Sequence, residues 1–387
     1  MSADQAMPPV SSRIDRKQLY TLQAGRAIAS LLVVFYHNAV SIFGDSRFWG
    51  YDPSRKIFNF GHSGVDFFFV LSGFIILYAH WNDLGKPQKL LTYTSKRFCR
   101  IYPIYWIVLA VIAPVYFLVP ALGKGFERSP AVVISSIALI PITSIKSILP
   151  VAWTLYHEVL FYCVFAIAIF NRRIGRFVLF GWMTACILAL WSGADIFPLS
   201  FLLSPFNLLF GMGMFACWTF RSRQVKAPMT LAIAGTALFF IVGLFEDFLE
   251  WPAKNARHLI FGIACTMAVL GLVELERLGR IAIPSILKAI GDASYVIYLI
   301  HFPVLSIGAR VFVHSGLSRV LPGFVSFILL PLIAVTVGIG VHLFLEKPLL
   351  GFLNRLTTSY LNRAGHVKSL NPLISRAEEL SGSSNAL

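Results

Sequence analysis

The chain alternates long apolar runs with short polar segments, many of them basic. Ten of these runs have the length of about 20 residues that a helix needs to cross a bilayer. They cover 19–43, 63–81, 101–120, 151–170, 176–192, 200–220, 228–245, 258–273, 287–312 and 321–345. A transmembrane β-barrel would instead show short segments in which apolar and polar residues alternate. The pattern therefore predicts an all-α polytopic integral membrane protein with about ten transmembrane helices.

An eleventh apolar stretch, 131–149, is short and contains Pro141, Lys146 and several serines and threonines. Its path can be inferred from the basic residues, because Lys and Arg concentrate in cytoplasmic loops. If the stretch does not cross, 22 of the 33 Lys and Arg lie on one side, with Arg26 left out of that count. If it does cross, this bias nearly disappears. We therefore predict that 131–149 is a re-entrant or peripheral segment and that both termini are cytoplasmic.

This topology divides the chain into three parts. Residues 1–18 form a cytoplasmic N-terminal tail, 19–345 form the transmembrane domain, and 346–387 form a cytoplasmic C-terminal tail. The first tail is polar, so we expect no cleavable signal peptide, and the first span acts as the insertion signal. The last tail is also polar, and we expect it to be mobile.

The composition agrees with a membrane protein and excludes several other classes. Only 13% of the residues are charged, about half the share in a soluble domain. The net charge of +15 is explained by basic cytoplasmic loops and contact with anionic membrane lipids, so we expect no nucleic-acid partner. The five cysteines are scattered, and no pair has the spacing of metal ligands. We therefore predict no disulfide framework, no metal and no bound cofactor.

The first apolar run, QAGRAIASLLVVFYHN, contains two ionisable residues, Arg26 and His37. Eleven positions of a helix separate them by roughly 16 Å and place both on nearly the same face. Ionisable groups within a membrane are costly and usually face the protein interior or a wet cavity, where they have a function. The alternative is an arginine that extends to the membrane surface and a structural histidine.

Two further segments carry charges that suit binding or catalysis. The segment SKRFCRIYPIYW places Lys96, Arg97 and Arg100 at the cytoplasmic end of the third span. These basic residues either set the orientation of the chain in the membrane or contact lipid headgroups. Alternatively, they bind the phosphates of a cytoplasmic donor. The segment VAWTLYHEVLFY contains Glu158, which we place in the outer half of its span, at the depth of His37. A carboxylate on one imidazole nitrogen would fix the tautomer of His37 and make its other nitrogen a better base.

Further polar and aromatic residues in the spans are candidates for lining a substrate cavity. Asp66 lies just inside the second span and either pairs with a cation or takes part in the chemistry. Ser294, Tyr298 and His301 recur at helical spacing in the ninth span, where interhelical hydrogen bonds are the alternative role. The full set of predicted cavity residues is Asp66, Ser72, Tyr105, Trp153, His157, Ser294, Tyr298 and His301.

Five of these segments, in this order, resemble the membrane acyltransferase-3 family, and most of all its bacterial exopolysaccharide O-acetyltransferases. They are Arg26 to His37, GVDFFFVLSGF (64–74), KRFCRIYPIYW (96–106), WTLYHEVLFY (153–162) and GDASYVIYLIHFP (291–303). The resemblance implies transfer of an acyl group, usually acetyl, from cytoplasmic acetyl-CoA to a carbohydrate hydroxyl at the membrane. It implies that Arg26 and His37 are essential, that Arg97 and Arg100 form the basic motif, and that Glu158 is the family's acid.

The resulting hypothesis has His37 and Glu158 as catalytic residues and Arg26, Lys96, Arg97 and Arg100 as acyl-CoA-binding residues. His37, oriented by Glu158, either deprotonates the acceptor hydroxyl or itself carries the acyl group. The expected partners are acyl-CoA, a polysaccharide or lipid-linked oligosaccharide, membrane lipids and polysaccharide-assembly proteins, in the bacterial inner membrane. The main alternative is a transporter or flippase of a glycan intermediate, which a two-fold hydropathy repeat would favour. The others are a scaffold, or an acyltransferase whose acceptor is not a polysaccharide.

Overall fold

The structure is a computed structural model that describes residues 19–50, 55–142, 146–192, 196–246 and 256–360. Within these ranges the chain is helical, and ten helices are long and apolar enough to cross a membrane. They are α1 (Tyr20–Phe43), α2 (Asn59–Asp83), α3 (Pro87–Leu118), α5 (Pro150–Phe170), α6 (Arg172–Leu190), α7 (Leu199–Ser222), α8 (Pro228–Phe245), α9 (Ala256–Arg277), α10 (Ser285–His314) and α11 (Gly323–Tyr360). A helix satisfies its own backbone hydrogen bonds, which the bilayer interior requires. The predicted all-α membrane fold is confirmed.

Within its described residues, 131–142 and 146–149, the segment predicted to be re-entrant or peripheral contains one short α-helix, α4 (Pro130–Ala138). Its nine residues span about 14 Å, which is too short to cross a bilayer. The Tyr105 hydroxyl donates to the carbonyl oxygen of Ser136 (2.7 Å), and Tyr102 and Trp106 donate to the next two carbonyls, both at 2.9 Å. These carbonyls at a helix C-terminus have no partner within the helix, so three side chains of α3 fix α4 to its flank.

The bundle is held by pairs of helices that approach closely at glycines. Helix α2 packs along α7, α8 along α9, and α1 and α11 both pack along α10. A methyl group on Gly73 of α2 would overlap the carbonyl oxygen of Phe210, and one on Gly213 of α7 would overlap that of Val70. The two backbones are thus in direct contact, as small residues allow in membranes.

Two helices contain a π-helical turn. In α1 the turn covers Asn38–Phe43, directly after His37, and in α11 it covers His342–Glu346. Helix α11 then continues to Tyr360, well past the predicted end of the last span at 345. The start of the predicted C-terminal tail is therefore helical, and 361–387 lie outside the described residues. Shorter helices cover Arg55–Phe58 and Leu317–Val320, and 3₁₀ turns cover Pro120–Leu122 and Phe126–Arg128.

Candidate functional site

Two cavities meet between α1, α2, α3 and α10. The first is an internal cavity of about 110 Å³ that extends from the arginines of α1 and α3 to Thr154 and Tyr298. The second, which we call the vestibule, has a volume of about 730 Å³. It lies between the N-terminal halves of α1, α3 and α10 and the last part of α11. Four residues line both cavities: Arg26, Ile75, Arg97 and Arg100. The passage between the vestibule and the internal cavity therefore runs past three guanidinium groups.

Arg26 is fixed in this passage by α10. Its Nε donates to the Ser294 hydroxyl (2.9 Å), and that hydroxyl donates to the carbonyl oxygen of Gly291 (2.7 Å). Its charged neighbours are Arg100, Glu158 and Glu346. Arg26 and Ser294, predicted separately from two distant segments, are thus brought together at the cavity wall.

Arg100 is held by a buried acid. Its Nη1 donates to Glu346 Oε1 at 2.9 Å, and the Glu346 side chain is fully buried. The other carboxylate oxygen lies 2.5 Å from His342 Nδ1. The Arg100 guanidinium also packs over the Tyr295 ring, with its carbon 5.3 Å from the ring centroid. With these contacts Arg100 has a fixed place where it lines both cavities.

Arg97 is less constrained. Its guanidinium carbon lies 5.7 Å from the centroid of the Tyr162 ring, and its buried Nε has no hydrogen-bond partner among the described residues. A buried N–H without a partner is uncommon and leaves a donor free for an acceptor on a bound molecule. The arrangement at Arg97 and Arg100 can therefore bind a phosphate group through charged N–H donors.

Glu158 lies in the internal cavity but not beside His37, so the predicted contact between them is wrong. Its carboxylate accepts hydrogen bonds from the Tyr162 hydroxyl and from Ser72 Oγ, the latter at 3.4 Å. Glu158 is separated from His37 because of the position at which α5 contacts α10. At this contact the hydroxyls of Thr154 and Tyr298 are 3.1 Å apart. From that level Glu158 lies about 6 Å toward the arginines, one helical turn along α5.

His37 instead meets His301, which lies about 4.5 Å beyond Tyr298 along α10 in the opposite direction. His37 Nδ1 is 3.1 Å from His301 Nε2 and 3.0 Å from the carbonyl oxygen of Val33. His301 Nδ1 is 2.7 Å from the carbonyl oxygen of Tyr298 and must donate to it. Neutral His301 then has an acceptor at Nε2, so His37 carries its proton on Nδ1.

This tautomer leaves Nε2 of His37 with a lone pair. Within the part of the chain that the structure describes, no group forms a hydrogen bond with that nitrogen. The ring is flanked by Tyr36 and Phe302, with centroids at 5.0 and 5.6 Å. A neutral imidazole with an open Nε2 can accept a proton from a hydroxyl group.

Like His301, four further residues predicted to line the cavity lie outside both cavities. Asp66 Oδ1 accepts from His258 Nδ1 (2.8 Å), and Asp66 Oδ2 is buried without a partner. His157 Nδ1 donates to Asn207 Oδ1 (3.0 Å). Trp153 packs against the rings of neighbouring aromatic residues, and Tyr105 holds α4. These side chains face other parts of the bundle, because each carries out a packing or hydrogen-bonding role between helices.

The structure adds residues that were not predicted. Tyr162 and Tyr295 line the internal cavity, and His342 lines the vestibule next to Glu346. Two signals were present in the sequence: Tyr162 follows Glu158 by one helical turn, and Glu346 is an acid at the end of an apolar run. Both signals are weak alone, because a tyrosine is common in spans and an acid at a span end is usually solvated.

Comparison with known proteins identifies related chains. The family model described as acyltransferase domain matches residues 19–343. The exopolysaccharide production protein ExoZ of Rhizobium meliloti (strain 1021) is 30% identical over 325 residues, covering 79% of this chain and 96% of that protein. The peptidoglycan O-acetyltransferase OatA of Listeria monocytogenes serovar 1/2a is 24% identical over 347 residues, covering 78% of this chain and 51% of that protein. No solved structure matches the chain.

The family match includes every residue of the internal cavity and extends from the first turn of α1 to the π-helical turn of α11. The same chain has ten helices that are long and apolar enough to cross a membrane. This multi-pass membrane protein belongs to the membrane acyltransferase-3 family and is an acyltransferase.

Proposed function

We propose that the protein transfers an acyl group, with acetyl as the first candidate, from cytoplasmic acyl-CoA to a hydroxyl of a cell-surface or exported carbohydrate. It acts in the bacterial inner membrane with both termini in the cytoplasm. One observation carries the proposal: the vestibule and the internal cavity form a path past three arginines toward Tyr298, and the His301–His37 pair lies one turn further along α10. This path has anion-binding groups at its wide end and a base beyond its narrow end.

The donor enters from the vestibule. In the proposed orientation the vestibule opens to the cytoplasm, where acyl-CoA is present. The diphosphate of the donor binds Arg97 and Arg100, since guanidinium groups bind phosphate through two parallel N–H bonds. The pantetheine arm then extends through the internal cavity past Arg26 and Glu158, and the thioester reaches the level of Tyr298, one turn of α10 from His301.

The acceptor approaches from the outer side. His37 Nε2 removes the proton of the acceptor hydroxyl as its oxygen attacks the thioester carbon. The tetrahedral intermediate collapses with cleavage of the C–S bond, and the thiolate of CoA takes the proton back from the His37 imidazolium. In the alternative route His37 Nε2 attacks the thioester first and transfers the acyl group to the hydroxyl in a second step.

The names of the relatives support a surface glycan as the acceptor. One relative is a protein of exopolysaccharide production, and another is a peptidoglycan O-acetyltransferase. The first aligns over nearly its whole length, so an exopolysaccharide or its lipid-linked precursor is our first choice of acceptor. We expect proteins of polysaccharide assembly to be partners.

The test is the change His37→Ala. A positioned base contributes about 10²–10⁴ to a rate, so we expect His37→Ala to lose at least about 100-fold in acyl transfer. The measurement is the acetyl content of surface glycans in a strain whose only copy is the variant, normalised to membrane-inserted protein. The matched control is His314→Ala, which changes an exposed histidine at the end of α10. Wild-type acetylation by His37→Ala would contradict the catalytic assignment, and reduced protein with normal activity per molecule would make His37 structural.

A further inference from the structure

The wall of the vestibule includes a part of α11 that lies beyond the family match. The match ends at residue 343, whereas Lys347, Leu350, Asn354 and Thr358 all line the vestibule. Their spacing of three, four and four residues places them on one face of a helix. This face is turned toward the arginines, so the end of α11 is part of the same cavity.

This wall is fixed to α3 at two levels. At its start, the buried Glu346 carboxylate accepts from Arg100 Nη1 at 2.9 Å. About three turns later, Thr357 Oγ1 lies 3.9 Å from Cys99 Sγ, within the range of a hydrogen bond to sulfur. The wall therefore has a defined place relative to Arg97 and Arg100 before any donor binds.

The charges of the vestibule favour a ligand with several negative charges. Three of the cations that line it lie on α3, namely Lys96, Arg97 and Arg100, and Lys347 lies on α11. The single acid that lines the vestibule within the described residues is Asp292, because Glu346 is buried behind Arg100. If the diphosphate of acyl-CoA binds the arginines at the inner end, its nucleotide remains in the vestibule. The nucleotide carries the 3′-phosphate, which needs its own cation.

We propose that Lys347, Leu350 and Asn354 form the subsite for the 3′-phosphorylated adenosine of the acyl-CoA donor. The Lys347 ammonium group binds the 3′-phosphate, Asn354 forms hydrogen bonds with the ribose or the base, and Leu350 packs against the adenine ring. This assignment rests on the proposed function, which supplies acyl-CoA as the donor. It adds a part of the chain that the family match does not include.

The experiment compares two donors on the purified full-length protein in lipid nanodiscs. Affinities for acetyl-CoA and for acetyl-3′-dephospho-CoA are measured for the wild type and for Lys347→Ala. We expect the wild type to bind acetyl-CoA more tightly, and Lys347→Ala to lose about 5- to 10-fold in affinity for acetyl-CoA alone. Lys347→Arg should keep most of the preference. The control Arg355→Ala removes the same charge from an exposed position of α11 that does not line the vestibule, and it should bind both donors as the wild type does.

Three results would overturn the assignment. Equal affinity of the wild type for the two donors would show that nothing in the vestibule recognises the 3′-phosphate, while the proposed function would stand. An equal loss for both donors in Lys347→Ala would show that Lys347 acts elsewhere on the donor or on the fold. If the wild type binds neither donor, the proposed function fails together with the subsite.

Discussion

The imidazole of His37 is the side chain on which the proposed chemistry depends, and its state is set by its neighbour. The carbonyl oxygen of Tyr298 fixes the proton of His301 on Nδ1, and this leaves His301 Nε2 to accept from His37 Nδ1. A backbone carbonyl thus determines, through two rings, which nitrogen of His37 is free for a substrate. The carbonyl of Val33 supports the same tautomer.

This arrangement makes His301 a positioning residue whose loss can be measured. In His301→Phe a phenyl ring replaces the imidazole and the acceptor for His37 Nδ1 is lost. Among the described residues the Val33 carbonyl then remains as its partner. A hydrogen bond of this kind contributes about 1 kcal/mol, so we expect kcat to fall about 5- to 10-fold with KM for acyl-CoA unchanged. Steady-state kinetics on purified protein measures the two constants separately. A change in KM alone would place His301 at the donor instead.

At this scale the sequence indicates several of the side chains that share a cavity, but not all of their partners. Arg26, Arg100 and Ser294 were selected because ionisable or hydroxyl groups within apolar runs have few other uses, and they meet at one cavity. The predicted contact of Glu158 with His37 rests on the membrane depth of Glu158, inferred from its position within its apolar run. The depth of Glu158 in the structure depends on the position of α5 relative to α10 along their axes. The Thr154–Tyr298 contact fixes that position, and the sequence of one segment does not predict it.

At the scale of helices, two π-helical turns lie next to side chains of the candidate site. The π-helical turn after His37 and the one that contains Glu346 each insert an extra residue into a turn. The second contains both His342 and Glu346, and the Glu346 carboxylate contacts His342 through one oxygen and Arg100 through the other. Hydropathy predicts where a span lies but not such turns, because the composition of a π-helical turn does not differ from that of the surrounding helix. Hydropathy does not predict the continuation of α11 to Tyr360, because Glu346, Lys347 and Pro348 interrupt the apolar run.

The close pairing of α2 with α7 predicts which glycines the fold requires. An alanine at Gly73 or Gly213 would place a methyl group on a backbone carbonyl of the other helix, and backbone cannot move aside as a side chain can. We expect Gly73→Ala and Gly213→Ala each to lower stability by about 1–3 kcal/mol, the cost of overpacking. The measurement is thermal unfolding in detergent, followed by fluorescence-detected size-exclusion chromatography.

The chain supplies a matched control for this prediction. Gly181 lies within α6, where a methyl group would have no atom within 4 Å, so Gly181→Ala should unfold at the temperature of the wild type or slightly above it. Equal stability of Gly73→Ala and Gly181→Ala would mean that α2 and α7 are further apart than the structure has them.

At the scale of the whole molecule, the site divides into a donor side and an acceptor side. The vestibule lies at the ends of the helices where α3 and α10 begin, and His37 lies near the opposite end of α1. In the proposed function the two substrates reach the bundle from opposite faces, and this requires one orientation of the protein in the membrane. With ten crossings, both described chain ends lie on the face of the vestibule.

The final prediction tests this orientation. Reporter fusions at Gln88, Arg173 and Arg223 should all report the cytoplasm, and a fusion at Gly316, between α10 and α11, should report the outside. The physical reason is the concentration of 22 of the 33 Lys and Arg on the side of the first three positions. Opposite signals at Gln88 and Arg173 would mean that the chain crosses between α3 and α5, against the nine-residue length of α4. A complete inversion, with Gly316 inside and the other three outside, would place the vestibule away from cytoplasmic acyl-CoA and contradict the donor path while leaving the fold intact.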